Sequence, residues 1–544
     1  MRQPARALRY FKRALRLKQD DSETCYNLGC FYIDQRKYRK AVKLLTTAVK
    51  NKPGHISAWL NLGIACNLLG NTEAASDAFR KVLVLEPENL LARRQLAWVL
   101  ASRGDVSLAL KEIKKVFVKR PDEIESLCLY LHLLSYPENS TQKELFNVSL
   151  KVGKHFSSLK AHSLPIDFPD NQYKKSKLRI GFVSNDFIAH PIGLLLMPLF
   201  MAYNRENLEF YCYNNGLAKD HLTHFFHANS AGWREIADLN DEETLSVIRN
   251  DRIDILIELN GYTHRHRLQL FALRPAPVQV SWIGYWHTTG VPEIDYFIAD
   301  DVLVLPEDEK WFSEKVIRLP DNRFCYVPTN PCPEIVESPF TQNGYVTFAC
   351  FGNPVKITDS AVRLWAKILK SVPGSRLVLK FKSYADKSIR NRYIEMFRGY
   401  GVPSSRLEFR TGSSLYMMMV ELGDVDICLD TFPFSGGMTS LHSLWMGVPV
   451  VTLSGNMPVS RQTESFLKYV ELSDLVAHDE EYYTQIAIRL ANSLDRLTSL
   501  RINLREKMLL SPLCDVEQYA RNVEMLLFKI WDDRELNFIG RSIC

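Results

Sequence analysis

The feature that most constrains this chain is a period of 34 residues near its beginning. Small residues, prolines and large apolar residues recur at this spacing: Gly29, Gly63 and Ala97; Ala41, Ala75 and Ala109; Pro53, Pro87 and Pro121; Leu28, Leu62 and Leu96; Leu45, Phe79 and Ile113. Such a period predicts pairs of antiparallel helices that stack on their neighbours. The small residues are expected where helices cross most closely, and the prolines at the end of each second helix.

The pattern is the signature of tetratricopeptide repeats, with Trp59 at the aromatic position. It predicts full repeats at 22–55, 56–89 and 90–123, within a repeat domain covering 1–156. A partial repeat at 1–21 is also expected, because Ala7, Phe11 and Ala14 fit a second helix whose first helix is missing. The sequence therefore opens within a repeat, as a short product or a piece of a longer array would. Solenoids of this kind bind peptides along a concave face, which predicts an interaction module.

After a polar linker at 157–177 the pattern changes to short apolar runs with β-branched residues, which predict buried strands. These runs are Leu178–Ser184, Ile253–Leu259, Val278–Tyr285, Tyr345–Phe351, Ser375–Phe381, Val425–Phe432 and Pro449–Gly455. Helical stretches lie between them, for example Ser360–Lys370 and Glu480–Asn492. Strand–helix alternation predicts parallel sheets covered by helices on both faces.

The region 178–544 is too long for one ordinary sheet, and residues 326–343 are rich in Pro, Ser and Asn. We therefore predict two lobes, at 178–335 and 336–544. The predicted fold class is α plus α/β: a helical repeat solenoid followed by two Rossmann-like, doubly wound lobes. In such folds ligands bind beyond the carboxyl ends of the strands, and a cleft between lobes is the expected site.

Composition and charge narrow the class of protein. The chain is 46% hydrophobic and 24% charged, and its net charge of +6 lacks the clustered basic face expected of a nucleic-acid-binding protein. Its 11 cysteines are scattered without a CxxC pair, which favours free thiols in a reducing compartment. The start lacks a signal-peptide core, and the longest apolar run, Gly193–Tyr203, is far shorter than a membrane helix. These features predict a cytoplasmic protein without membrane insertion.

Several motifs of nucleotide and metal chemistry are absent. The sequence has no GxGxxG, GxxxxGK[ST], GxSxG or HExxH. His264 and His266 lie in a basic run without a carboxylate at ligand spacing. Asp424 and Asp426 are spaced like the DxD of metal-dependent sugar transferases, but they precede a strand, where a turn is the simpler explanation. No metal site is predicted.

Two polar side chains stand out at the ends of predicted strands. His190 follows a strand and precedes Pro191 and an apolar helix, where it is well placed to titrate near neutral pH; capping or packing is the alternative. Lys356 follows another strand, just before the predicted helix cap Thr358. A lysine at the mouth of a parallel sheet suits a diphosphate, although a solvated surface lysine is equally compatible.

A glycine-rich turn provides a third candidate site. Gly436 and Gly437 lie between a predicted strand and a predicted helix, and allow close approach of the backbone. The amides of Met438–Ser440 open that helix and can bind an anion. Turns of this kind also serve packing alone.

Longer stretches of the sequence resemble the O-GlcNAc transferase and SPINDLY family of protein glycosyltransferases, particularly its bacterial and plant members. The motifs that carry the resemblance are LRIGFVSNDFIAHPIG, LNGYTHRHR, ALRPAPVQVSWIGY, HTTGVPEIDY, RLPDNRFCYVP, FGNPVKIT, SRLVLKFK, LDTFPFSGG and TSLHSLWMGVPVVTL. Their order and spacing fit the family along almost the whole chain, with repeats upstream.

The resemblance implies a GT-B fold and an inverting, metal-independent transfer without a cofactor. A sugar would move from a nucleotide diphosphate sugar, first of all UDP-GlcNAc, to Ser or Thr of a protein or peptide bound by the repeats. His190 matches the family's active-site histidine, beside the sugar and the acceptor. Lys356 matches the lysine that neutralises the leaving diphosphate, together with helix N-terminal amides.

The resemblance also implies a set of donor-binding residues. Asn353 lies where the family has Gln or Asn near the phosphates, and Thr439 matches a threonine of the phosphate loop. Thr263 and Gly284 match positions that line the sugar pocket. The other implied donor-binding positions are Gly436, Gly437, Met438, His442 and Met418.

Five positions depart from the family pattern. Met418 replaces a histidine that stacks on the base, Met438 replaces a loop threonine, and His442 replaces an acidic residue that contacts the ribose. Trp286 replaces a smaller residue near the sugar pocket and Leu415 a polar one. Such changes imply either another donor, such as GDP-fucose or UDP-glucose, or a degenerate scaffold whose repeats act as an adaptor. Asn as the acceptor residue and a homo-oligomer also stay open.

Overall fold

The computed structural model describes residues 4–18, 20–120, 122–158, 177–263 and 265–534. Most of the predicted linker, His264 and Pro121 lie outside these described residues. The chain divides into two compact units. We call the described parts of 1–133, 353–362 and 379–412 the repeat unit, and those of 134–352, 363–378 and 413–544 the sheet unit.

The helices of the described residues fall into a repeat region, followed by helices that alternate with strands. They are α1 Pro4–Leu17, α2 Ser22–Asp34, α3 Tyr38–Asn51, α4 Ile56–Leu68, α5 Thr72–Leu85, α6 Leu90–Ser102, α7 Val106–Lys119, α8 Ile124–Leu133, α9 Gln142–Ser158, α10 Pro191–Ala202, α11 His221–Asn229, α12 Asp241–Asn250, α13 Leu268–Ala272, α14 Phe340–Asn343, α15 Asp359–Ser371, α16 Lys387–Gly399, α17 Leu415–Leu422, α18 Met438–Trp445, α19 Gln462–Tyr469, α20 Glu480–Ala491, α21 Leu494–Leu509 and α22 Val516–Asp532.

The strands form two sheets. They are β1 Leu178–Ser184, β2 Leu208–Asn214, β3 Gly232–Glu235, β4 Ile255–Glu258, β5 Val278–Ser281, β6 Tyr296–Ala299, β7 Lys315–Arg318, β8 Thr347–Cys350, β9 Arg376–Lys380, β10 Leu407–Arg410, β11 Ile427–Leu429, β12 Val450–Leu453 and β13 Val476–Ala477. The first sheet has the order β3-β2-β1-β4-β5-β6-β7 and the second the order β10-β9-β8-β11-β12-β13.

Small residues permit the close helix packing of the repeats. A Cβ at Gly29 would lie 2.7 Å from the Leu45 side chain, and one at Gly63 would lie 2.5 Å from the Phe79 ring. Leu45 and Phe79 are fully buried. The two helices of a repeat therefore touch where the sequence provides no side chain on one of them, as the period predicts.

Both sheets have the doubly wound arrangement that the alternating sequence predicts. β1 pairs in parallel with β2 on one side and β4 on the other, so Val183 lies beside both Tyr213 and Glu258. In the second sheet β11 pairs in parallel with β8 and β12. The predicted fold class, helical repeats followed by two parallel α/β sheets of the GT-B type, is confirmed.

Buried polar contacts join the two sheets within the sheet unit. Arg461, beyond the second sheet's β12, forms an ion pair with Asp308 beyond the first sheet's β6, with Nη2 and Oδ2 2.6 Å apart. Asn322 donates to Ser465 Oγ at 2.6 Å. Burial lowers the pKa of the neighbouring Arg323 to about 10. These groups hold the carboxyl ends of the two sets of strands in one compact body.

Helix α9 packs on the first sheet through a glycine contact. A Cβ at Gly153 would lie 1.7 Å from the carbonyl oxygen of Gly290, and Gly290 itself has a left-handed φ of +69°. Ser157 donates to Glu293 Oε2 at 2.8 Å beside this contact. The helix therefore belongs to the sheet unit. No helix within the described ranges is long and apolar enough to cross a membrane.

Candidate active site

His190 lies where the chain leaves β1 and enters α10. Its extended backbone ends the loop, and Pro191 occupies the first turn of the helix, where a missing N–H costs nothing. The imidazole is about half-exposed, and its Nδ1 lies 3.6 Å from Asp186 Oδ2. The ring thus lies beside a carboxylate and is partly accessible to solvent.

Asp186 is itself held by two amide side chains. Asn260 donates to Asp186 Oδ2 at 2.6 Å and Asn185 donates to Oδ1 at 3.2 Å. Asn260 follows β4 and Asp186 follows β1; because these strands are parallel neighbours, their carboxyl ends meet at the same edge of the sheet. The carboxylate beside His190 is therefore fixed from two strands.

Glu258, the last residue of β4, organises the turn that follows. Its carboxyl group accepts hydrogen bonds from the backbone N–H groups of Asn260, at 2.7 Å, and Gly261, at 2.8 Å. Burial, together with a smaller contribution from the charge of Glu314, raises the pKa of Glu258 to about 7, although these hydrogen bonds act in the opposite direction. A buried carboxyl group thus supports the residue that holds Asp186.

Two predicted sugar-pocket residues lie at the same edge. Thr263 donates from its hydroxyl to the Asn260 carbonyl at 2.9 Å. Gly284 follows β5, and a Cβ there would lie 1.9 Å from the Leu259 carbonyl oxygen and 2.7 Å from the Ile192 side chain. The strands β1, β4 and β5 therefore bring Thr263 and Gly284 to the edge that carries His190.

The glycine-rich turn of the second sheet is built around Asp430. Asp430 Oδ1 accepts the N–H groups of Thr431 at 2.9 Å and Gly436 at 2.7 Å, while Oδ2 accepts the Thr452 hydroxyl at 2.8 Å. A Cβ at Gly436 would lie 2.0 Å from Ser440 Oγ. A side chain at this position would displace Ser440, and the hydrogen bonds to Asp430 fix the backbone of the turn.

Helix α18 begins directly after this turn. Gly437 is its N-cap, and a Cβ there would have only the Gln462 side chain at 3.9 Å as a neighbour. Met438 is buried, whereas Thr439 is partly exposed. The first N–H groups of a helix lack partners within it, so this open helix start can bind an anion.

His442 points away from solvent in the same helix. The side chain is buried, and its Nδ1 lies 2.9 Å from the Tyr326 hydroxyl. Burial lowers the pKa of His442 to about 4, so the ring is neutral at pH 7. The structure thus gives this ring a packing partner, and its predicted contact with a ribose stays a prediction.

Helix α17 presents an unusually apolar surface. Tyr416, Met417 and Val420 are exposed, while Leu415 and Met418 are partly buried. Methionine can pack on a flat ring through its polarizable sulfur. Contact of Met418 with a nucleotide base stays a prediction.

Trp286 links the two sheets near the predicted sugar pocket. Its indole N–H donates to Ser135 Oγ at 3.0 Å, and its ring meets Phe434 edge to face at 4.4 Å. Phe434 stacks on Tyr136 at 5.0 Å. Since Trp286 follows Gly284 by two residues and Phe434 precedes Gly436 by two, this contact brings the two candidate segments together.

Asn353 and Lys356 belong to the repeat unit. Asn353 Oδ1 accepts the Val355 N–H at 3.2 Å and starts a single 3-10 turn, Pro354–Lys356. Lys356 is the last residue of this turn and is partly exposed. The remaining predicted site residues lie in the sheet unit.

The acidic pair of the possible DxD motif has a structural role at its second position. Asp426 is buried and accepts the backbone N–H groups of Thr347, at 2.8 Å, and Phe340, at 3.2 Å. Burial raises the pKa of Asp426 to about 6. Within the described ranges no cluster of three or more His, Cys, Asp or Glu side chains could hold a metal ion.

Comparison with known proteins identifies the family to which the chain belongs. The profile named "Glycosyl transferase family 41" matches residues 151–329 and 340–523, and a tetratricopeptide-repeat profile matches 26–89 and 69–122. The chain belongs to glycosyl transferase family 41. The predicted resemblance to O-GlcNAc transferases and SPINDLY proteins is confirmed by the relatives described next.

Two plant proteins and one solved structure illustrate the similarity. The tomato (Solanum lycopersicum) protein named "Probable UDP-N-acetylglucosamine--peptide N-acetylglucosaminyltransferase SPINDLY" is 34% identical over 405 residues, 73% of this chain and 43% of its own length. The protein of the same name from Petunia hybrida is 37% identical over 362 residues, 65% of this chain and 39% of its own. A lysine-to-methionine mutant of the Thermobaculum terrenum O-GlcNAc transferase has a TM-score of 0.87 and 29% identity, covering 94% of this chain and 98% of its own. This chain thus spans about two fifths of these plant relatives.

The structure also reveals four residues for which no role was predicted from the sequence. Asp186, Asn260 and Glu258 support His190, and Asp430 shapes the glycine-rich turn. The sequence did contain a signal for these residues, because each polar residue is the last residue of a buried strand or lies within two residues after one. Which strands are neighbours decides which groups meet, and that order is not written in any local motif.

Proposed function

We propose that this chain is an inverting protein glycosyltransferase that moves a sugar from a nucleotide diphosphate sugar to a hydroxyl of a protein. UDP-GlcNAc is the donor proposed first, because the similar plant proteins carry that donor in their names. Ser or Thr of a peptide bound by the repeats is the proposed acceptor. GDP-fucose and UDP-glucose are the alternative donors.

The observation that carries the proposal is the open start of α18. The turn that Asp430 shapes ends at the start of α18, at the carboxyl edge of the second sheet, where the backbone N–H groups of Met438 and Thr439 have no acceptor within the helix. The start of a helix carries about half a positive elementary charge, and its backbone N–H groups can bind and partly compensate a diphosphate. Lys356, which matches the family's diphosphate lysine, is proposed to stabilise the leaving group as the bond to the sugar breaks.

His190 is proposed to act on the acceptor. Its Nδ1 faces Asp186, so Nε2 is the nitrogen available to a substrate hydroxyl. In the proposed step the acceptor oxygen attacks the anomeric carbon, the bond to the diphosphate breaks, and the hydroxyl proton leaves towards Nε2. Thr263 and Gly284 are proposed to bound the sugar at the same edge.

Donor hydrolysis tests the proposal. The purified chain would be incubated separately with UDP-GlcNAc, UDP-glucose and GDP-fucose, with and without EDTA, and free nucleotide would be measured. We expect release from one donor, unchanged by EDTA and lowered about 100-fold or more in Lys356→Ala. The exposed lysine of α15 provides the matched control Lys370→Ala, which should behave as wild type.

A non-enzymatic adaptor is the second candidate, favoured by the buried, Tyr326-bonded ring of His442 and by methionines at 418 and 438. A thermal-shift series distinguishes the two. A ligand at 100 times its Kd stabilises the folded state by about 2.7 kcal/mol. The absence of any shift with millimolar UDP, GDP or the three sugars, together with no hydrolysis, would favour the adaptor.

A further inference from the structure

The turn that carries Lys356 is tied to helix α16. The Pro354 carbonyl, around which the 3-10 turn is built, accepts the Ile357 N–H at 3.0 Å. The same carbonyl accepts the hydroxyl of Tyr393, also at 3.0 Å. Tyr393 lies on α16 and is fully buried. The position of α16 therefore sets the position of the turn.

The repeats, in their turn, hold α16 at its start and near its middle. Asp386, the N-cap of α16, accepts both the N–H and the hydroxyl of Thr72, at 2.9 and 2.7 Å. Arg392 forms an ion pair with Asp105, with Nε and Oδ1 2.9 Å apart, and donates to the Gly104 carbonyl at 3.1 Å. The repeats at 56–89 and 90–123 thus both contact α16 through the turn that joins their two helices, or through the residue that directly follows it.

Two glycines at equivalent positions of these turns differ in their surroundings. Gly70 and Gly104 are 34 residues apart and both have left-handed backbones, with φ of +78° and +88°. A Cβ at Gly70 would have no atom within 4 Å. A Cβ at Gly104 would lie 2.5 Å from the Tyr393 hydroxyl oxygen and 3.2 Å from the Pro354 carbonyl oxygen. The repeat at 90–123 therefore touches the turn itself.

We infer that Gly104 and Tyr393 are positioning residues for Lys356, so that the repeats hold the proposed diphosphate lysine in place, in addition to their proposed role in acceptor binding. The role of Lys356 in this inference rests on the proposed function; the mechanical link does not. A catalytic charge must be held within about 0.5 Å of its productive position. A displacement of about 1 Å caused from outside the site can lower turnover about 100-fold.

Hydrogen–deuterium exchange tests the link without requiring activity. The variants are Gly104→Ala and its matched control Gly70→Ala, which imposes the same left-handed backbone on alanine but adds a methyl group in open space. We expect faster exchange of the Lys356 and Ile357 amides in Gly104→Ala only. Equal exchange of these amides in the two variants would overturn the inference.

A second variant covers the case in which Gly104→Ala fails to fold. Tyr393→Phe keeps the ring, which packs edge to face on Tyr384 at 5.8 Å, and removes only the hydroxyl donor to Pro354. Exchange of the same two amides should again increase. Wild-type exchange in Tyr393→Phe would contradict a positioning role for the hydroxyl.

Measurements of kcat and KM then test whether the contact of Gly104 with Tyr393 and Pro354 affects turnover through Lys356. For the donor that wild type hydrolyses, we expect Gly104→Ala to lower kcat roughly 10-fold with little change in KM, and Gly70→Ala to leave both unchanged. In a Lys356→Ala background Gly104→Ala should have an effect of less than about 2-fold, because groups that act as a unit are not additive. A full effect in that background would overturn the inference. Hydrolysis of no donor by wild type would count against the proposed function alone, and exchange would still decide the link.

Discussion

The charge of Lys356 is the residue-scale feature whose removal should affect turnover most. Lys356→Ala should lower kcat for donor hydrolysis roughly 100-fold or more, because a preorganised charge on a leaving group is among the largest catalytic contributions. Lys370→Ala, on an exposed part of α15, is the control. Turnover near that of wild type in Lys356→Ala would place the diphosphate elsewhere.

The carboxyl group of Glu258 should make stability depend on pH. Its pKa is raised by burial to about 7, above the ordinary value, so the folded protein favours the protonated form. The contribution of Glu258 to the free energy of unfolding is therefore fully present below about pH 4.5. It falls by up to about 3 kcal/mol as the pH rises through 7. Glu258→Gln should therefore flatten the fall in Tm between pH 5 and 8.

The control for that series is Glu242→Gln, a change at an exposed position of α12. Its Tm should follow the wild-type pH dependence. A Glu258→Gln profile that is parallel to wild type would mean that Glu258 is ionised in the folded protein throughout this range.

At the scale of elements, the repeats depend on complementary side chains across each helix pair. Gly63 faces the buried ring of Phe79, whereas the equivalent pair in the next repeat is Ala97 and Ile113. Gly63→Ala should therefore cost about 1–3 kcal/mol through overpacking, despite the better helix propensity of alanine. Adding Phe79→Ile should restore part of this loss, since it recreates the pair found in the next repeat.

Chemical denaturation measures this prediction, with Gly54→Ala as the control because a Cβ at Gly54 would have no neighbour within 4 Å. That control should change the free energy of unfolding by less than about 0.5 kcal/mol. If Gly63→Ala were as stable as Gly54→Ala, the close contact with Phe79 would not limit the packing of this repeat.

At the scale of the whole molecule, the repeat unit joins segments that lie far apart in sequence. Burial opposes ionisation of Asp386, but hydrogen bonds from Thr72 and Ser388 outweigh it and lower the pKa. A lowered pKa means stability that is present above the unfolded value and lost as the pH falls through the folded one. Asp386→Asn should lower Tm at pH 7, and the difference from wild type should shrink towards pH 3.

Asp77→Asn, at an exposed position on α5, is the matched control and should not change Tm at pH 7. A Tm for Asp386→Asn equal to that of this control would show that Thr72 does not fasten the repeats to α16.

The amino-acid sequence by itself determined the periodic parts of this protein. Periodicity reports local structure directly, because a 34-residue repeat and short apolar runs reflect which residues each helix or strand buries. The predicted run Leu178–Ser184 is β1, and the helix predicted at Glu480–Asn492 is α20 within one residue. The family motifs likewise identified the segments of the candidate site, although the roles of the residues in these segments stay predictions.

Only the tertiary structure decided which of these segments meet. The strands β2, β3, β6, β7, β10 and β13 were not predicted; β2, for example, has partly exposed residues between buried ones, so it lacks a continuous apolar run. Strand order placed Asn260 against Asp186, and chain folding brought Gly104 to Tyr393 and Pro354. Such contacts join residues tens to hundreds of positions apart, and their energy depends on geometry that no local pattern in the sequence records.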